Sequence, residues 1–166
     1  MYKINDIVVY RRDVCKIIAK EKSDFTGEMC YILVPYMEEN SSTRIQVPVS
    51  NKAGHLRSLI TKEDIQQLIK DAPDMPLLVN KPANMKSQYT SILKEDNVAD
   101  LIRIIKTSYL RNRTRMEQHK KLASVDEEYL RKAETYLYNE IAAVMDMTYE
   151  EAKEYFESEV EKLQAE

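Results

Sequence analysis

Seven basic side chains fall within residues 96–125, and five of them, Arg103, Lys106, Arg111, Arg113 and Arg115, occupy the flanks and far side of one helix-like segment. Guanidinium and ammonium groups gathered in this way can hold phosphate oxygens, Arg through a planar fork and Lys as a point charge. The other side of the same segment repeats Val98, Leu101, Ile102, Ile105, Tyr109 and Met116 at the 3.6-residue period, which predicts a face packed on a core. A second reading of the belt stands beside the first: a solvated face balanced by acidic neighbours. Covalent chemistry has no comparable support. His55 and His119 are far apart in sequence, there is no GxSxG, P-loop or HExxH pattern, and only Gly27 and Gly54 are available to shape a phosphate cradle. The paired acids Glu127 and Glu128, and Glu150 and Glu151, read as charges at helix N-termini rather than as a general acid and base. These features predict a binding protein and not an enzyme, with no cofactor, metal or small-molecule substrate.

The net charge of −3 is unevenly spread. Residues 96–125 carry seven basic and three acidic side chains, whereas residues 126–166 carry four and thirteen. A polyanion would therefore be met by one particular face, and nonspecific binding over the whole surface is excluded. With 43% hydrophobic residues, no apolar run of 18 and no signal peptide, the 166-residue chain reads as a cytoplasmic protein that does not enter a membrane. Cys15 and Cys30 each lie inside an apolar run, without a CxxC partner, and read as reduced core thiols.

The elements that must position these groups are of two kinds. "DIVVY" (6–10), "VCKIIA" (14–19), "MCYILVPY" (29–36) and "TRIQVPVS" (43–50) are short, β-branched and punctuated by turn-formers, which predicts a small antiparallel barrel or curled sheet. Pro35 and Pro48 each remove a ladder donor and mark strand ends or edges. Thr61 reads as an N-cap, from which the period becomes helical, and that first helix stops before Pro73. A connector through residue 82 precedes a helix from about Asn84 to Lys94, then the basic helix. A fourth helix begins after Ser124, with Asp126 and Glu127 in its first turn and Leu130, Ala133, Leu137, Ile141 and Val144 facing inward, and a fifth begins after Thr148. The class is α+β, with a β domain over 1–61 and a helical domain over 62–166.

Taken together, "NDIVVY", "CYILVP", "IQVPVSNKAGHLRSLI", "NMKSQY" and "LRKAETYLYNEIA" resemble the CarD/CdnL family of bacterial transcription regulators. The β domain is similar to the Tudor-like or SH3-like RNA polymerase interaction domain that this family shares with the transcription-repair coupling factor. The resemblance implies that the barrel binds the RNA polymerase β subunit by extending a sheet in its lobe. It also implies that the helical domain contacts promoter DNA at the upstream edge of the bubble and so modulates open-complex stability. The implied polymerase contacts are Lys22, Arg44 and Gln46, with Gln46 standing where the family usually has Arg; Lys22 and Arg44 can also be read as solvated strand charges. The implied DNA contacts are Met85, Lys86, Arg103, Lys106, Arg111, Arg113 and Arg115. Met85 occupies the place of a minor-groove Trp wedge, and packing into the helical core is an equal reading of it. Glu127 and Glu128 stand where relatives commonly have basic residues. Two alternatives stand: a polymerase-binding module without effective DNA contact, to which Met85, Glu127, Glu128 and the acidic tail point, and a module whose barrel binds a different protein, to which "YRRDVC", in place of a Pro- and Gly-containing turn, points.

Overall fold

Alternating β-branched residues and tyrosines build five strands in the first part of the chain: β1 (Ile7–Tyr10), β2 (Asp13–Lys22), β3 (Met29–Pro35), β4 (Ile45–Pro48) and β5 (Leu56–Ser58). In the computed structural model, which describes residues 1–38 and 40–165, they form one antiparallel sheet in the order β4-β3-β2-β1-β5. Every strand contributes to a single apolar cluster, Val8, Cys15, Ile17, Tyr31, Leu33, Val47 and Leu56, so one face of the sheet wraps its own core. The β2–β3 register shifts between Ile17 and Ala19, a bulge that adds local twist. Pro35 closes β3, and Pro48 closes β4 at the sheet edge. The strand β5 lies in the segment already read as closing the β domain, and at three residues it is too short to show a period of its own.

The β1–β2 connection is a two-residue turn in which Arg11 and Arg12 both take positive φ, 47° and 77°. That geometry favours Asn-Gly or Gly, so two arginines hold the turn under strain. By contrast, Ser23 organises the β2–β3 turn. Its Oγ accepts from Phe25 N and Thr26 N at 3.2 and 3.3 Å, and Gly27 follows in the left-handed region at φ 74°.

Residues 61–166 form a separate compact unit, as do residues 1–60. The helices are α1 (Lys62–Asp71), α2 (Met85–Lys94), α3 (Val98–Glu117), α4 (Ser124–Met145) and α5 (Tyr149–Ala165). Thr61 and Asp64 make a capping box at the start of α1, with bonds of 3.0 and 2.8 Å, and Thr148 with Glu151 does the same for α5. The start of α4 is held differently. Ala123 is its N-cap, and Asn112 of α3 bonds both polar groups of the Ala123 backbone, at 2.9 and 3.3 Å.

The core face of α3 differs from the apolar stripe read from sequence. Val98, Leu101 and Ile102 are buried as expected, but the buried line continues through Ile104, Ser108 and Asn112. Ile105 is half-buried, Tyr109 is 54% exposed and Met116 is 63% exposed. Ser108 sits on the rotated face: it is fully buried, its hydroxyl donates back to Ile104 O at 2.7 Å, and its small volume suits a close approach of α3 and α4, which pack on each other. Leu130 and Val144 of α4 are likewise only half-buried.

Candidate nucleic-acid and polymerase interface

The basic residues of α3 divide by what they hold. Lys106 Nζ donates to the carbonyls of Ala72, Pro73 and Met75 at 2.8, 3.2 and 2.8 Å, Arg103 Nε donates to Pro76 O at 3.0 Å, and Thr107 Oγ1 accepts from Leu78 N at 2.9 Å. One face of α3 thereby straps down the proline-containing connector. Burial lowers the pKa of Lys106, against an opposing pull from Asp74. Arg111 Nε donates to both carboxylate oxygens of Asp126 at 3.2 and 3.1 Å. Asp126, read from sequence as a first-turn helix charge, is 1% exposed and also accepts from the Tyr89 hydroxyl at 2.7 Å. Burial, then the hydrogen bond to Asp126, raises the Tyr89 phenol well above its ordinary value. Tyr89 stacks on Tyr129 at 5.2 Å between ring centres, and Tyr129 shares a 2.7 Å hydrogen bond with Thr90. Asp126 thus joins α2, α3 and α4.

Met85 opens α2 at 1% exposure, packed within the helical unit. Groups that face solvent lie elsewhere. Arg113 is exposed and, among the described residues, pairs with Glu117 of its own helix at 3.4 Å, while Arg115 is half-buried and Lys120 and Lys121 are exposed in the loop that follows. On α2, Lys86, Ser87, Thr90, Ser91 and Lys94, with Ala83, line a shallow polar depression. Spaced three to four residues apart, two ammonium groups and three hydroxyls share one face of the helix. Lys86 was legible in the sequence. Lys94 and the hydroxyls were not, because lone Ser, Thr and Lys residues on a helix carry no motif, although their recurrence at positions 86, 87, 90, 91 and 94 was a usable signal.

In the β unit the three candidate residues do not share a face. Lys22, the last residue of β2, pairs with Met29 in a row of core-side parity, whereas Gln46 pairs with Ile32 on the outer face. Arg44, two residues before Gln46, lines an outer-face groove of about 360 Å³ with Lys16, Ile18, Val34, Tyr36 and Glu38. Val49 N donates to Met29 O at 2.9 Å, and by the alternation of an antiparallel ladder the main-chain groups of Ile45 and Val47 also point at β3. Those of Arg44 and Gln46 then point to the open side of the sheet. Pro48 contributes no donor there, so the edge available to another strand is short.

The β unit thus offers an edge strand beside a groove of apolar and charged residues, and the helical unit offers exposed lysines on α2. Residues 79–157 match the family model for the C-terminal domain of CarD, so this part of the chain is similar to the C-terminal domain of a transcription-associated family. The match lies within the helical unit and leaves the β unit outside it. No curated protein matches the chain. Among the described residues no helix is long and apolar enough to cross a membrane.

Proposed function

We propose that this chain is a non-catalytic, cytoplasmic regulator of transcription that binds the RNA polymerase β subunit through the β4 edge and promoter DNA through α2. The observation that carries the polymerase contact is the edge itself: main-chain groups of Arg44 and Gln46 face outward, flanked on the outer sheet face by Lys16 and Ile18. Strand addition draws affinity from such groups and selectivity from the adjoining side chains. On the DNA side, Lys86 and Lys94 with Ser87 and Ser91 supply charge and hydroxyl donors for a phosphate backbone, while the Thr90 hydroxyl donates to Lys86 O at 2.8 Å within the helix; Arg113, Lys120 and Lys121 add exposed positive charge at the end of α3 and in the loop after it. Binding an open promoter complex better than a closed one would shift opening by no more than that difference in affinity.

A second reading, polymerase binding with little DNA contact, is favoured by the commitments of Met85, Lys106 and Arg111 inside the helical unit. The experiment that tests the pair is binding of the full chain to an immobilised β lobe and, separately, to a forked promoter duplex at two salt concentrations. Lobe binding should fall in Arg44→Glu and Gln46→Pro. DNA binding should weaken in the Lys86→Ala, Lys94→Ala double variant, with the log–log salt slope reduced by about 2, near 0.9 per phosphate contact. Lobe binding without salt-sensitive DNA binding would establish the second reading, and absence of lobe binding would defeat both.

A further inference from the structure

The part of the α3 stripe that the core leaves unused opens into a groove of about 540 Å³ between α3, α4 and α5. Its floor is apolar, formed by Ile102, Ile105, Leu130, Tyr138, Phe156 and Val160, and Tyr109 stands at its margin. Three carboxylates, Glu134, Glu157 and Glu161, stand along it. Two lysines also reach the groove, but the Lys106 ammonium is bound by three carbonyls and Lys153 bridges to Glu134 at 3.0 Å. Glu157 and Glu161 are therefore the charges the groove presents to solvent, both on exposed residues of α5. Burial raises the pKa of Glu157; Lys153 opposes that shift, and Glu134 and Glu161 add to it. Burial and then Glu157 and Glu134 likewise push the Tyr138 phenol up. The potential over this apolar surface is negative, the opposite of what a nucleic acid needs.

We propose that this groove is a docking site for a basic amphipathic helix of a partner protein. Such a helix would lay apolar residues at i, i+3, i+4 and i+7 along Ile105, Leu130 and Val160 and set Lys or Arg side chains beside Glu157 and Glu161. An approaching cation relieves the repulsion among the carboxylates, and the apolar face of the helix covers Ile105, Leu130 and Val160, which folding leaves half-buried above the core residues Ile102, Tyr138 and Phe156. The inference depends on neither polymerase nor DNA binding.

The test uses the full chain and three fluorescent 15-residue probes: a Leu/Lys peptide with Leu at that helical spacing, its Leu/Glu counterpart, and a scrambled Leu/Lys peptide of equal composition. The patterned basic peptide should bind at least about tenfold more tightly than either control. A Glu157→Lys, Glu161→Lys variant should lose about tenfold in affinity, and Tyr109→Asp should also weaken binding, each with an unchanged melting temperature. Equal binding of the scrambled peptide, tighter binding of the acidic one, or full affinity in the charge-reversed variant would overturn the proposal. So would self-association of the chain that closes the groove to peptide, because a second copy would then be its occupant.

Discussion

At the scale of single residues, the side chains with the strongest phosphate-binding chemistry are partly spent on the fold. Arg111 neutralises a carboxylate that is almost fully enclosed, so Arg111→Ala should cost about 2–3 kcal/mol in urea denaturation, whereas Arg113→Ala, on an exposed residue, should stay within about 0.5 kcal/mol. Met85→Ala should likewise cost about 2–4 kcal/mol as a core truncation; an unchanged stability with lost DNA affinity would instead restore the wedge. Neither role was legible in the sequence. An acid at the start of a helix looks the same whether it meets solvent or an arginine fifteen positions earlier, and a methionine suits a core and a wedge equally. The cysteines were legible, because both lie in apolar strand runs and both are buried and free. Burial, then Asp13, pushes the Cys15 thiol from its ordinary 9.0 up to about 12. Below pH 9 the thiol is neutral in both states and costs nothing. Between 9 and 12 it ionises only in the unfolded chain, so stability falls as pH rises, by about 1.4 kcal/mol from this group at pH 10. Unfolding free energies from urea titration of wild type and Cys15→Val at pH 8 and pH 10 should differ by that amount in their pH dependence, with the variant less sensitive.

At the scale of elements, the period of the sequence located all five helices and four of the five strands, and capping chemistry at Thr61 and Thr148 marked two starts correctly. What it could not give was the rotation of α3. Periodicity ranks residues by hydrophobicity, while the α3–α4 contact is chosen by closeness of approach, and Ser108 and Asn112 win because one is small and the other bonds Ala123. Asn112→Ala removes both bonds across that hairpin and should lower stability by about 1–3 kcal/mol, as measured by thermal or urea unfolding. The β1–β2 turn offers the opposite case. Arg11 is exposed in the left-handed region, and Arg11→Asn should raise stability by about 0.5–1 kcal/mol, since Asn tolerates that conformation better.

At the scale of the whole molecule, the charge asymmetry read from the sequence divides into three surfaces in the structure. The outer face of the sheet carries Lys16 and Arg44, the exposed positive charges of the helical unit are Lys86 and Lys94 on α2 and Arg113, Lys120 and Lys121 at and after the end of α3, and the α5 groove is negative. The likeness of the helical part to the CarD C-terminal domain was legible in its apolar and small-residue patterns, whereas contact residues were not, since a surface position leaves no periodic trace. If the β4 edge and α2 act together on one assembly, the effect must appear in the lifetime of that assembly. The most direct measurement is the half-life of RNA polymerase–promoter open complexes after heparin challenge, with saturating wild-type chain, Gln46→Pro, and the Lys86→Glu, Lys94→Glu double variant. The account predicts a several-fold change in half-life with wild type that either variant abolishes. A half-life unmoved by wild type, or moved equally by all three proteins, would contradict it.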